Sequence, residues 1–156
     1  MSKRVYSEIN LHLTWHTKNN FPLIRSIEND LHKFLKNKVV ETPDAYFHAI
    51  GGIEDHIHLA FSMRPSLDLD KWIGQVKGAS SHEFGKALQW QNGYGIVSFG
   101  TRDLLWVMAY VTNQRSIIHA ERFLIDSNVQ MMMAKAVCKI RTLKRPSDEL
   151  PILTTP

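Results

Sequence analysis

One stretch constrains the fold more than any other: Glu54-Asp55-His56-Ile57-His58-Leu59-Ala60-Phe61-Ser62-Met63. Its polarity alternates. Ile57, Leu59, Phe61 and Met63 share one parity; His56, His58, Ala60 and Ser62 share the other. Period-two alternation is the pattern of a β-strand with one face on a core. The apolar parity takes that face, so both imidazoles project from the opposite one. Residues two apart on a strand are separated by ~6.6 Å, close enough for two rings to converge on one cation. Two readings stand: a solvated polar face, or part of a metal site.

The flanking sequence supplies partners for this strand. Leu11-His12-Leu13-Thr14-Trp15-His16-Thr17 alternates in the same way, with His12 and His16 on its polar side. Those two are ~13 Å apart along a strand, too far to chelate one ion directly, and read as polar-face residues. Asn19-Asn20-Phe21-Pro22 breaks the pattern. A helix is expected after a Ser26 cap, with Ile27, Leu31, Phe34, Leu35 and Val39 on one stripe. Tyr46 to Ile53 forms another strand, and Gly51-Gly52 near its end favours a bulge or tight link into the histidine strand. So short a link implies an antiparallel hairpin. A second helix follows Arg64-Pro65-Ser66, with Leu69, Trp72, Ile73 and Val76 inward, and Tyr94 to Phe99 is a fourth strand.

The order β-α-β-β-α-β is the split βαβ arrangement of an α+β, ferredoxin-like fold: a four-stranded antiparallel sheet with both helices on one face. His56 and His58 fall on the other, open face. An additional C-terminal helix, capped by Thr101, carries Leu104, Val107, Met108 and Val111 as its apolar stripe. Tyr110 and Gln114 share one side of it, a turn apart. Taken singly, Tyr110 reads as a core aromatic and Gln114 as a solvated helix residue.

The chain's 156 residues suit one domain, expected over 1–146, with a disordered tail over 147–156. Its 44% hydrophobic and 22% charged content is ordinary for a globular protein. No apolar run reaches membrane-spanning length, and Met1-Ser2-Lys3-Arg4-Val5 is not followed by a signal-peptide core, so a cytoplasmic location is expected. Cys138 is the single cysteine, which excludes an internal disulfide and a thiolate cage. The net charge of +4 permits a polyanionic partner without requiring one. Lys135, Lys139, Arg141, Lys144 and Arg145 form a basic segment without an acid. The region from Ala120 to Ile140 has helical composition.

Two histidines with the amide oxygen of Gln114 would make a three-ligand site with open positions. Imidazole and oxygen donors without cysteine suit Mg²⁺ or Mn²⁺ better than structural Zn²⁺. Such an ion can act as a Lewis acid on a phosphate, and a tyrosine one turn from the amide would then be a nucleophile beside it.

Five motifs in order carry a resemblance. They are Leu13-Thr14-Trp15-His16-Thr17-Lys18, Asp55-His56-Ile57-His58-Leu59, Gln75-Val76-Lys77-Gly78-Ala79-Ser80-Ser81, Trp90-Gln91-Asn92-Gly93-Tyr94-Gly95, and Tyr110-Val111-Thr112-Asn113-Gln114. From about Tyr6 to His119 the chain resembles the single-tyrosine HUH transposases of the insertion sequence 200/605 type. The resemblance implies a divalent ion on His56, His58 and Gln114, and Tyr110 attacking single-stranded DNA to leave a 5′-phosphotyrosine and a free 3′-OH. It also implies imperfect DNA hairpins as partners and a homodimer, with active sites that can be composite in trans. Lys18, Lys77 and Arg115 are candidate phosphate contacts or plain surface cations.

The chain departs from that pattern at two places. Glu54 stands where the family usually has proline, and Arg115-Ser116-Ile117-Ile118-His119 leaves one histidine where a pair often follows. The alternatives are a catalytically silent or domesticated DNA-hairpin-binding relative, a ferredoxin-like RNA-binding domain, and a metal-dependent hydrolase using water. The RNA-binding reading lacks a stacking platform, since the exposed parity of the central strand is His, His, Ala, Ser.

Overall fold

The computed structural model describes residues 7–118. The expected helix over 120–140, the basic segment, the tail and the domain boundary at 146 lie outside that range. The chain divides into two units, Met1–Arg115 and Ser116–Pro156. All elements named below belong to the first.

Strand β1 (Ile9–His16) is followed by helix α1 (Glu28–Glu41), the hairpin of β2 (Ala45–Ile53) and β3 (His56–Met63), helix α2 (Leu69–Phe84), strand β4 (Gly95–Phe99) and helix α3 (Leu104–Thr112). The sheet order is β2-β3-β1-β4 and every neighbouring pair is antiparallel. This is the ferredoxin-like, split βαβ, α+β fold. No described helix is long and apolar enough to cross a membrane.

Alternation sorts the sheet into two faces as expected. Leu11, Leu13, Trp15, Ile57, Leu59 and Phe61 pack with Leu31, Leu35 and Val39 of α1 and Trp72, Ile73 and Val76 of α2 in the principal core. Two indole nitrogens on this side are satisfied, Trp72 donating to Thr42 Oγ1 and Trp90 to Ser80 Oγ, both at 2.8 Å, whereas Trp15 Nε1 is buried without a partner among the described residues. Leaving either unpaired would cost about 1–3 kcal/mol.

The second face is not open. Helix α3 lies on it, and Val107 and Val111 pack with Ala49 and Ala60 in a smaller apolar cluster. Alanines here let the helix come close. Gly51 does so more sharply, because a Cβ at that position would stand 1.9 Å from the Val111 carbonyl oxygen. The seven residues from Ile57 to Met63 are therefore buried except for half-exposed Ser62.

Helix starts differ from the sequence expectation. Helix α1 begins at Glu28 with Ile27 in the capping position and no side-chain cap; Ser26 sits in the preceding turn. Thr101 opens a 3₁₀ turn, Thr101–Asp103, rather than capping α3, and its hydroxyl accepts from Asn10 Nδ2 at 3.1 Å. A hydroxyl so engaged in a tertiary bond is diverted from local capping. The bulge falls at His48, where the β2–β3 register shifts between Phe47 and Ala49, and Gly52 adopts φ 145° just before the turn.

Two glycines test this packing with opposite signs. Gly51→Ala forces α3 away from the sheet and is expected to lower unfolding free energy by about 1–3 kcal/mol, the usual cost of overpacking. Gly74→Ala, in α2 with nothing within 4 Å of its added Cβ, is expected to raise it by about 0.5–1 kcal/mol. Urea denaturation of both variants measures the difference.

Candidate active site

The site is built from cross-strand register. In the β1–β3 pair, His16 faces His56, Thr14 faces His58 and His12 faces Ala60. Four imidazoles consequently form one cluster. Ring centroids lie 5.0 Å apart for His16 and His56, 4.9 Å for His56 and His58, and 5.0 Å for His12 and His58.

Hydrogen bonds orient two of these rings. His56 Nδ1 donates to Asp55 Oδ1 at 2.6 Å, which leaves the lone pair of its Nε2 free. His58 Nδ1 lies 2.7 Å from His12 Nε2 and 3.2 Å from Thr14 Oγ1. In the tautomer that keeps His58 Nε2 free, Nδ1–H donates to His12. Carboxylate or imidazole partners behind a ligating ring are what holds such a ring in place.

Burial adds an electrostatic constraint. Only 7% of His58 is exposed. Desolvation, then the neighbouring His56, His12 and His16, push its pKa down from 6.5 to about 3. Burial also lowers His12. His58 is thus neutral at physiological pH, the state required of a metal-ligating imidazole.

Helix α3 brings Tyr110 to this cluster. Its ring is 5.8 Å from those of both His58 and His12, edge-on to each, and stacks nearly parallel on Trp106 at 5.6 Å. Gln114 is buried, and its Nε2 donates to the Tyr110 carbonyl at 3.0 Å. Among the described residues no hydrogen bond joins Gln114 to either His56 or His58.

A divalent cation fits the donors present. His16, Asp55 and His56 offer ligand atoms that all lie within 4.8 Å of one another, and His16 Nδ1 is buried without a hydrogen-bond partner. Sequence spacing alone misses His16, because it compares His16 with His12 on the same strand. The informative neighbour is across the ladder, and its signal is the shared polar parity of two strands that pair.

The three candidate phosphate contacts part company. Lys18 is exposed and lines a polar cleft of about 770 Å³ together with Lys86, a cation that sequence reading did not single out. Arg115 is paired with Glu28. Lys77 is committed to the fold: its Nζ donates to the carbonyls of Gln91 at 2.8 Å and Gly93 at 2.7 Å, and burial lowers its pKa. In this structure Lys77 braces the Trp90–Gly95 turn from α2.

The family model of IS200-like transposases matches residues 5–114, which is most of the sequence. The chain belongs to that family, and its class is that of a transposase. Two solved structures share the fold. One is a candidate transposase from Deinococcus radiodurans R1, with a TM-score of 0.57 and 19% identity, covering 73% of this chain and 95% of that one. The other is a REP-associated tyrosine transposase bound to a REP hairpin, with a TM-score of 0.54 and 16% identity, covering 71% and 69%. No curated relative matches the sequence.

Lys77→Met should weaken the free protein. Loss of two charge-assisted bonds is expected to cost about 1.5–3 kcal/mol and to speed amide exchange across residues 90–95. A lysine serving only as a phosphate contact would leave both quantities unchanged in the absence of DNA.

Proposed function

We propose that this transposase is a divalent-metal-dependent strand transferase acting on single-stranded DNA. Tyr110 is the nucleophile, and His56, His58 and Gln114 are ion ligands. The observation that carries the reading is the meeting of Tyr110 with the histidine cluster on one face of the sheet, where its ring is 5.8 Å from those of His58 and His12. Neutral His58 and a His56 ring steadied by Asp55 supply imidazole nitrogens ready for Mg²⁺ or Mn²⁺. When bound, the ion would draw charge from the non-bridging oxygens of a phosphodiester.

The chemistry follows from the nucleophile. The Tyr110 phenolic oxygen loses its proton and forms a bond to phosphorus, while the bond from phosphorus to the 3′ oxygen breaks. That oxygen leaves with the electron pair and ends as a free 3′-OH. The downstream fragment stays on Tyr110, joined through its 5′ phosphate as a 5′-phosphotyrosine. A phenolate is itself a competent leaving group, so attack by a 3′-OH reverses the step and rejoins a strand without added energy.

The DNA partner in this reading is a hairpin at the element's ends, by analogy with the hairpin held in the REP-associated neighbour. Net charge of +4 suits it. Lys18 contacts phosphate directly, and Arg115 does so on leaving Glu28. The active unit is a homodimer built from a transposase domain over 1–146, with sites that can be composite in trans. Side-by-side placement of Tyr110 and His58 in one chain supports assembly in cis as well.

Labelled single-stranded hairpin DNAs with Mn²⁺ test the proposal directly. The expected result is label that stays on protein through denaturing electrophoresis. Tyr110→Phe should abolish it, and His56→Ala should reduce its rate by roughly a hundredfold or more, the size seen when one electrostatic stabiliser of a transition state is removed. Recovery of adduct on mixing the two variants would assign assembly in trans. Cleavage that persists in Tyr110→Phe would instead mean a water-using hydrolase. Hairpin retention with no adduct from the unaltered chain would mean a silent binding protein.

A further inference from the structure

We infer that His16 is an additional ligand of the ion held at His56. The inference rests on the metal-binding part of the function proposed above and adds a ligand to it.

Three observations point the same way. Register places His16 directly opposite His56 on the adjacent strand, with ring centroids 5.0 Å apart. Ligand atoms of His16, Asp55 and His56 are mutually within 4.8 Å, and no other group of three such residues gathers this way among the described ones. The third observation is an unmet need: His16 Nδ1 is buried and bonds to nothing described. Buried polar nitrogens normally have a partner, and an orphan beside two potential ligands is accounted for by an ion.

The surrounding side chains sharpen the assignment. His58 is already tied to His12 and Thr14 through Nδ1, and His56 to Asp55 through Nδ1. His16 has no such tie. Its strand neighbour on the same face, Thr14, has its Oγ1 engaged with His58, and Lys18, in the 3₁₀ turn that follows the strand, is exposed. A third imidazole shifts the relative affinities of divalent ions. Oxygen-only and water-rich shells suit Mg²⁺, whereas each added imidazole favours Co²⁺, Ni²⁺ or Zn²⁺ in line with the general order of divalent affinities. Asp55 serves either as the oxygen donor or as the anchor of His56, and in both roles its charge favours the cation.

Metal binding, not turnover, is the test. Purified, metal-stripped full-length chain is titrated with Co²⁺ by calorimetry and by visible absorption, and with Zn²⁺ and Mg²⁺ in parallel. The expected result is one Co²⁺ per chain, and a preference for Co²⁺ and Zn²⁺ over Mg²⁺. His16→Ala should weaken Co²⁺ and Zn²⁺ by at least about tenfold, beyond the lower end of what removing an outer-shell partner does. It should alter the Co²⁺ absorption bands and narrow the gap to Mg²⁺. His16→Asn, which keeps a polar side chain on the strand, should behave in the same way, and circular dichroism checks that both variants fold. Unchanged affinity and spectrum in the two folded variants would overturn the inference. Two Co²⁺ ions per chain, with only one lost in His16→Ala, would overturn the shared-ion assignment. Loss of Co²⁺ in His58→Ala with none in His16→Ala would sink this inference alone, whereas no ion binding by the unaltered chain would sink the metal reading proposed above as well.

Discussion

The antiparallel register between β1 and β3 is the constraint on which the remaining structure depends. It pairs Leu13 with Leu59 and Trp15 with Ile57 on the core face, and His16 with His56 and Thr14 with His58 on the other. Because side chains alternate, a slip of one residue would send His12, Thr14 and His16 into the principal core and expose Leu11, Leu13 and Trp15. Burial of those apolar residues against α1 and α2, each worth about 1.5–3 kcal/mol, therefore holds the histidines in place from the far side of the sheet. The chemistry is positioned by a core that it never touches.

Helix α3 converts that arrangement from a polar sheet face into a partly desolvated site. Ala49, Ala60 and Gly51 make the sheet shallow enough for its backbone to approach, and Val107 and Val111 fill the contact. Closeness has two effects. It withdraws His58 from water, which keeps the ring uncharged, and it delivers Tyr110 to the edge of the same ring. Trp106 stacked on Tyr110 restricts the phenol from its outer side, although Trp106 itself is 62% exposed. Tyr110 and the histidines thus share one apolar support.

Much of this was legible in the chain because its strands are half-buried and alternate cleanly. Leu11 to Trp15 and Ile57 to Met63 announce their core faces, and the order of elements then restricts the topology to few choices. The resemblance across five motifs anticipated the family and brought His56, His58, Tyr110 and Gln114 into view together. Other features escape a one-dimensional reading for physical reasons. Ser26 and Thr101 have capping chemistry, yet a turn and a bond from Asn10 decide their use. Nor does position along the chain disclose that Lys77 bonds the carbonyls of Gln91 and Gly93, which return beside α2 only in the fold. The polar face looks open because nothing in β3 says that α3 will fold back over it. Distance to His12 along one strand says nothing of His56, which the ladder places opposite His16 one strand away.

Packing four imidazoles together on a partly covered face carries an electrostatic consequence. Burial and the neighbouring rings lower the pKa of His58, and burial lowers that of His12. Rings so placed still need partners. Asp55 serves His56, and His12 with Thr14 serves His58, which leaves His16 Nδ1 as the unsatisfied member. An unpaired buried donor or acceptor costs about 1–3 kcal/mol, a burden on the fold that a ligand can remove. Any cation that binds the folded cluster better than the unfolded chain also stabilises the fold by mass action. Proton and cation compete for the same nitrogens, and desolvation by α3 weakens the proton. Docking of the tyrosine helix and desolvation of His58 are therefore two results of one packing event.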